Sequence, residues 1–178
     1  MKEPIVVTTP LTDEACRALH VGDRVAISGA VYAMRDAAHR RIFEAALRGE
    51  PLPVALAGEV IFYAAPTPAK PGRVIGSMGP TTSSRMDRYT PQFLEMGLKG
   101  MIGKGTRSEA VRQAIKSHQA VYLGAIGGVA ALMSRFIRQA QVVAYEDLGT
   151  EAILRLEVAA LPAVVLIDSM GRDLFAAI

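Results

Sequence analysis

The chain has 178 residues, of which 51% are hydrophobic and 21% are charged, and its formal net charge is +3. Aromatic residues make up only 6%, so the composition is typical of a globular protein with an aliphatic core. The single cysteine, Cys16, excludes an internal disulfide and any cysteine-based metal site built from this chain alone. Because no stretch of about 18 apolar residues occurs and the cations are scattered, we expect a cytoplasmic protein that binds small anions, not membranes or nucleic acid.

The spacing of apolar residues predicts a strand-rich first half. Its predicted elements are a strand over 4–9, a helix over 13–19, a strand over 24–32, a helix from Asp36 to about Gly49, and strands over 54–65 and 73–76. Asp36 is the expected N-cap of the second helix. His39 is expected on the surface of that helix.

In the second half the pattern alternates between strand and helix. Its predicted elements are a helix to about Met96, a strand over 98–103, a helix over 106–118, a strand over 120–123, a turn over 124–128, a helix over 129–138, a strand over 141–145, a helix over 150–157 and a strand over 163–168. Thr106 and Glu109 have the spacing of a capping box. The chain is therefore expected to form one mixed α/β domain over 1–178, with a partly parallel sheet.

The stretch 76–87 has a composition that a packed core does not need. It holds two glycines, a proline, five hydroxyl side chains, a cation and an anion within twelve residues. Thr81 and Thr82 can present hydroxyl and backbone N–H groups to an anion if a helix begins there. Arg85 has the planar fork that suits a carboxylate or a phosphate. A turn followed by a well-capped helix is an equally good explanation of the stretch.

Two glycine-rich runs fail the tests for nucleotide binding. The run at Gly103-Lys-Gly105 has Leu98 where a phosphate loop needs glycine, and Gly105 where it needs Ser or Thr. The run over 124–128 lacks the spacing of a dinucleotide-binding loop. The three histidines lie far apart with no ligand spacing, so no metal site made of this chain is expected.

A set of cations and hydroxyl groups follows the ends of predicted strands: Arg35, Thr81, Thr82, Arg85 and Lys104. Crevices at the carboxyl ends of strands are where α/β folds bind ligands. Three cations suit a dicarboxylate. Because the set contains no evident acid–base pair and no metal ligands, it indicates one half of an active site.

These residues lie in blocks that resemble the C-terminal domain of the class I (iron–sulfur) fumarases, and the chain is also similar to the beta subunit of L(+)-tartrate dehydratase. The blocks occur in register along nearly the whole chain. They are Ser28-Gly29, Arg35-Asp-Ala-Ala-His39, Gly79-Pro-Thr-Thr-Ser-Ser-Arg-Met-Asp87, Gly103-Lys-Gly105 with Arg107-Ser108, Gly127-Gly128, and Tyr145-Glu-Asp-Leu-Gly-Thr-Glu-Ala152.

The resemblance implies a swivelling β/β/α fold and a hydro-lyase acting on a 2-hydroxy dicarboxylate, here the reversible hydration of fumarate to L-malate. In that family an alpha subunit or N-terminal domain holds a 4Fe–4S cluster with three cysteines, and this chain would depend on that partner for the cluster. The assembly implied is a heterotetramer, or a homodimer when this chain is isolated.

The resemblance also implies roles for the candidate residues. Arg35, Arg85 and Lys104 would bind the substrate carboxylates, and Thr81 would be the catalytic proton-transfer residue with Thr82 beside it as a binding residue. A threonine hydroxyl is a poor base, so a carboxylate from the other subunit would have to assist it. Met34, where a small residue is expected, would either narrow the pocket or pack into the core.

Other functions stay open at this point. A tartrate dehydratase beta subunit needs the same cations and differs in requiring room for a second hydroxyl group. A non-catalytic dicarboxylate-binding module would keep the pocket without the partner, although binding alone would not require Thr81. A nucleotide-binding protein is supported only by the glycine runs that fail.

Overall fold

The computed structural model describes residues 3–125 and 130–177. The strands are β1 (Ile5–Thr8), β2 (Arg24–Ala33), β3 (Val60–Phe62), β4 (Ala64–Pro66), β5 (Met78–Pro80), β6 (Gly100–Gly103), β7 (Val121–Ala125), β8 (Ile137–Ala144) and β9 (Ile153–Ile167). The helices are α1 (Asp13–Arg17), α2 (Asp36–Leu47), α3 (Thr90–Glu95), α4 (Glu109–Ser117) and α5 (Ala130–Met133). Short 3₁₀ helices lie at Ser83–Met86, Ser134–Phe136, Glu146–Glu151 and Leu174–Ala177. The predicted turn over 124–128 and the Gly127-Gly128 block fall largely or wholly outside the described residues.

One mixed sheet has the strand order β1-β2-β3-β6-β7-β9-β8 among the described residues. Its first five strands pair in parallel, so their carboxyl ends meet at one edge. The long strand β9 is antiparallel to its neighbours: it pairs with β2 along one side, and with β8 and then β7 along the other. These pairings close the sheet on itself. Strands β4 and β5 form a separate antiparallel pair.

Apolar side chains alternate along the central strands and fill both faces of this sheet. One buried cluster joins one face of the strands to the α1 region, and its members include Cys16, Val25, Ile27, Phe62, Ile102, Leu123 and Val165. The other cluster joins the opposite face to α2, α3 and α4, and its members include Ile42, Ile61, Tyr63, Phe93, Met101, Ile115 and Tyr122. Parallel strands covered on both faces are apolar on both faces, which confirms the predicted α/β class.

The predicted elements of the first 50 residues agree with the structure to within about two residues, but three later predictions are wrong. The predicted strand over 73–76 is a turn, and β5 begins only at Met78. The predicted helix over 150–157 is mostly strand, because β9 begins at Ile153 and pairs with β2 and β8. The predicted strand over 54–65 becomes strand only at Val60, because residues 54–59 form bends and turns. The predicted helix over 129–138 agrees within about two residues, since the described part is helical from Ala130 to Phe136. In residues 153–157, pairing with distant strands overrides the local helical spacing.

Two helix caps and the position of one side chain, His39, also differ from expectation. Arg35, not Asp36, is the N-cap of α2, and the Asp36 carboxylate instead accepts a hydrogen bond from Arg85 Nε. Ser108, not Thr106, caps α4 by accepting a bond from a backbone N–H. His39 is fully buried. Met34 is also buried and packs into the core, which settles the alternative that the sequence left open.

No helix among the described residues is both long and apolar enough to cross a membrane.

Candidate active site

The parallel strands bring the candidate residues to one edge of the sheet. Arg35 follows β2 and Lys104 follows β6, while Tyr63 follows β3, the strand between them. The backbone N–H of Thr81 donates to the carbonyl oxygen of Tyr63 at 2.7 Å. Thr82 forms a parallel bridge with Lys104. The stretch that begins at Thr81 therefore lies across the carboxyl ends of β3 and β6.

Hydrogen bonds through Ser83 hold this stretch against the end of β6. Its backbone N–H donates to the Lys104 carbonyl at 2.9 Å, and its Oγ accepts from the Lys104 N–H at 3.1 Å. Gly103 makes this approach possible, because a Cβ at that position would lie 2.0 Å from Ser83 Oγ. The Tyr122 hydroxyl lies 2.9 Å from both Ser83 Oγ and the Gly105 carbonyl oxygen. Burial raises the pKa of Tyr122 to about 12, so its hydroxyl stays a proton donor.

A buried ion pair ties the same stretch to the start of α4. The Arg107 side chain is fully buried, and its Nε donates to Asp87 Oδ1 at 2.7 Å. Another guanidinium nitrogen of Arg107 donates to Thr90 Oγ1 at 2.7 Å, and the guanidinium lies 4.9 Å from the ring centre of Tyr122. The second Asp87 oxygen accepts from the Ser108 N–H at 2.7 Å. Asp87 and Arg107 thus hold the segment that follows Thr81 and Thr82 against the start of α4.

Both candidate arginines contact carboxylates. Arg85 Nε donates to Asp36 Oδ1 at 2.8 Å. A terminal nitrogen of Arg35 lies 3.3 Å from Glu151 Oε1, and Arg35 Nε lies 3.9 Å from Asp36 Oδ2. The other Glu151 oxygen accepts from the Ala37 N–H at 3.2 Å and so caps α2. Within residues 3–125 and 130–177, Lys104 is exposed and forms no ion pair.

The charges of this group leave a small positive excess. Arg35, Arg85 and Lys104 carry three positive charges, and Asp36 and Glu151 carry two negative ones, so the excess is one. Arg35 Nε and Asp36 Oδ2 are buried and have no hydrogen-bond partner among the described residues. Buried polar atoms normally have a protein or water partner. A donor and an acceptor without partners therefore mark a place that a polar ligand or a water molecule would complete.

The buried ring of His39 contacts the backbone of Arg35. Its Nδ1 lies 2.8 Å from the Arg35 carbonyl oxygen, and its ring stacks on Phe93 with a centroid distance of 5.1 Å. The carbonyl can only accept, so Nδ1 carries the proton of a neutral ring. Burial lowers the pKa of His39 from 6.5 to about 4. Its Nε2 is buried without a partner in the described part of the chain.

This burial predicts a stability loss in acid. Between pH 6.5 and about 4, His39 becomes protonated in the unfolded chain but stays neutral in the folded chain. The stabilising contribution is therefore complete above pH 6.5 and is lost as the pH falls toward 4, by roughly 3 kcal/mol in total. His39→Phe should remove most of the difference between the free energies of unfolding at pH 7 and at about pH 4.5, as measured by urea unfolding. A variant that loses as much stability in acid as the wild type would contradict the prediction.

The structure thus brings Arg35, Thr81, Thr82, Arg85 and Lys104 to the same edge of the sheet. Sequence reasoning assigned no supporting role to the residues that hold them there: Ser83, Asp87, Arg107, Tyr122 and Glu151. All of these except Tyr122 lie in the recognised sequence blocks, but only contacts such as that of Glu151 with Arg35, 116 positions away in the sequence, reveal what they do.

The cysteine of this chain lies away from the candidate site and does not fit an iron–sulfur cluster. Cys16 is fully buried in the α1 region, its Sγ lies 3.8 Å from the Lys99 carbonyl oxygen, and burial raises its pKa to about 11. A 4Fe–4S cluster needs several cysteine thiolates, and this chain has one cysteine. Among the described residues no group of three His, Cys, Asp or Glu side chains is arranged to hold a metal ion.

Comparison with known proteins shows the family of the chain. The family model of the fumarase C-terminus matches residues 1–178. The chain belongs to the fumarase C-terminus family. This confirms the resemblance that the sequence blocks indicated.

Curated relatives of this fumarase C-terminus chain include proteins named fumarate hydratase and one named as a tartrate dehydratase subunit. It is 41% identical over 157 residues to a class I aerobic fumarate hydratase of Salmonella typhimurium, which covers 87% of this chain and 27% of the relative. It is 40% identical to fumarate hydratase 2 of Leishmania major, over 87% of this chain and 28% of the relative. It is 34% identical to a putative L(+)-tartrate dehydratase subunit beta of Methanocaldococcus jannaschii, over 93% of this chain and 88% of the relative. The chain therefore spans less than a third of the two fumarate hydratases.

Proposed function

We propose that this chain is the beta subunit, or the corresponding C-terminal part, of an iron–sulfur hydro-lyase that reversibly hydrates fumarate to L-malate. The observation that carries the proposal is that Thr81 and three cations lie at the same edge of the sheet, at the carboxyl ends of β2, β3 and β6. The similarity to proteins named fumarate hydratase supports the choice of substrate.

In this proposal Arg35, Arg85 and Lys104 bind the two carboxylates of the substrate. The Arg85 side chain is half exposed and only its Nε is engaged by Asp36, so its terminal nitrogens can bind an incoming carboxylate. Lys104 adds a compact charge at the end of β6. A carboxylate placed at Arg35 would share or replace the contact with Glu151. The dicarboxylate would then be held between cations whose positions the protein has already fixed.

Hydration adds a hydroxyl group to one alkene carbon and a proton to its neighbour, and we assign the proton transfer to Thr81. Its side chain is half buried, and its hydroxyl has no hydrogen-bond partner among the described residues. Its backbone is held by the bond to Tyr63. A threonine hydroxyl is a weak base, so a carboxylate of the partner would relay its proton, while the nearby cations favour the deprotonated form.

The cluster that this reaction class uses would be held by cysteines of an alpha subunit or an N-terminal segment. The site on this chain is accordingly one wall of a shared active site, and the proposed compartment of the assembled enzyme is the cytoplasm. The assembly we propose is a heterotetramer.

L(+)-tartrate dehydratase is the second candidate within the same reaction class. It is favoured by the relative named subunit beta, 88% of which is covered by this chain. The same three cations would bind tartrate, and the difference would be room for a second hydroxyl group.

Co-expression with a cluster-bearing partner tests the proposal. The complex would be purified without oxygen, and the absorbance of fumarate formed from malate would be followed, with each chain alone as a control. Activity only in the mixture supports a shared fumarase site. A complex that is inactive with malate but dehydrates tartrate supports the second candidate. The absence of any complex contradicts both and favours a free-standing dicarboxylate-binding module.

A further inference from the structure

A second cleft lies outside the candidate active site, between the β4–β5 loop and the segment from α5 to the start of β8. Its volume is about 390 Å³, within the range of small-molecule sites. Its polar lining comes from Thr67, Lys70, Arg73, Ser77, Arg135 and Arg138 among others. None of the candidate active-site residues lines it.

The lining of this cleft is strongly basic. It contains four cations, Lys70, Arg73, Arg135 and Arg138, and no aspartate or glutamate. Within the described ranges none of the four forms an ion pair. Four like charges on facing walls repel one another, and a multivalent anion between them would remove that repulsion.

Both walls have backbones that the rest of the fold holds in place. At the base of the β4–β5 loop, the Thr67 N–H donates to the Ser77 carbonyl at 3.0 Å, and the Ser77 N–H donates to Thr67 Oγ1 at 2.9 Å. Gly76 permits this closeness, since a Cβ there would lie 2.1 Å from the Thr67 carbonyl oxygen. On the facing wall, Met133 and Ile137 are buried in the core. The four cations that line the cleft are exposed, and they stand on backbone segments that the fold holds in place.

We propose that this cleft binds a small multivalent anion, either a tricarboxylate or a phosphorylated small molecule. The volume suits a ligand of that size, and the lining holds four cations without an acidic residue. This cleft is separate from the candidate active site. Ser77, which lines the cleft, and Thr81, which lies in the active site, flank β5 at opposite ends, about 13 Å apart along the strand.

Calorimetric titration of the full chain with citrate, and separately with inorganic pyrophosphate, tests the proposal at low ionic strength, where screening is weak. We expect saturable binding of at least one of the two, which also distinguishes the carboxylate class from the phosphate class. Arg135→Gln combined with Arg138→Gln should weaken binding by about tenfold or more, because two of the four charges are removed.

A matched control removes two exposed cations elsewhere, Arg40→Gln with Lys116→Gln, and should change the affinity by no more than about twofold. Amide chemical shifts should move at residues 67–77 and 131–138. The proposal is overturned if neither anion binds, if the control loses as much affinity as the cleft variant, or if the shifts instead occur at 81–85 and 104. Tighter binding of duplex DNA in competition with citrate would likewise overturn it.

Discussion

In the assembled enzyme, Thr81→Ala is expected to lower kcat by roughly 10²- to 10⁴-fold, the usual contribution of a proton-transfer group. The KM for the dicarboxylate should stay within about tenfold, equivalent to about 1.4 kcal/mol, because the carboxylates are bound by Arg35, Arg85 and Lys104. Steady-state kinetics with malate measure both quantities. The expected split between kcat and KM follows from the proposed roles, because Thr81 would move the proton while the three cations bind the carboxylates.

Two neighbouring substitutions make this result specific. Thr81→Ser keeps a hydroxyl at the same position and should retain much more activity than Thr81→Ala. Thr82→Ala removes the exposed hydroxyl beside it and should act mainly on KM, since Thr82 is proposed to bind substrate. If Thr81→Ala weakens binding as much as it slows turnover, Thr81 is a substrate ligand and not the proton carrier.

Asp87→Ala should have the largest effect on stability of any change near the site. It leaves the guanidinium of Arg107 buried without its carboxylate and removes the acceptor of the Ser108 N–H. Breaking a buried ion pair by removing one partner costs about 3–5 kcal/mol. In a chain of this length that loss lowers the unfolding midpoint by roughly 10 °C. Thermal unfolding followed by circular dichroism measures it.

The matched control is Asp147→Ala, which removes the surface ion pair with Arg41. The Asp147 side chain is 62% exposed and the Arg41 side chain is 37% exposed, so the pair is screened by water and the midpoint should change little. The prediction for Asp87 fails if the two variants unfold at the same temperature. Asp87→Asn, which keeps part of the hydrogen bonding, should fall between the wild type and Asp87→Ala.

The carboxylates around the two arginines change how the site is expected to work. The cations identified in the sequence are not all free to meet a substrate, because Asp36 and Glu151 already hold Arg85 and Arg35. Such contacts keep the guanidinium groups in place before a ligand arrives, which reduces the ordering that binding requires. They also limit the positive excess to one charge, so binding a dicarboxylate involves exchange of partners.

The amino-acid sequence by itself determined the elements of the first 50 residues, the α/β class and the position of Arg35 after β2 and of Lys104 after β6. These features depend on local periodicity and on residue chemistry, which a short window of sequence contains. The recognised blocks also determined the family, since ordered motifs along the whole chain are independent of any contact.

Only the tertiary structure decided which residues support the site. The segment over 153–157 is a strand because it pairs with β2 and β8, although its local spacing resembles a helix. His39 is buried because its face of α2 packs on Phe93, and Glu151 contacts Arg35 across 116 positions of sequence. Burial and long-range ion pairs arise from packing between distant segments, and no local pattern encodes them.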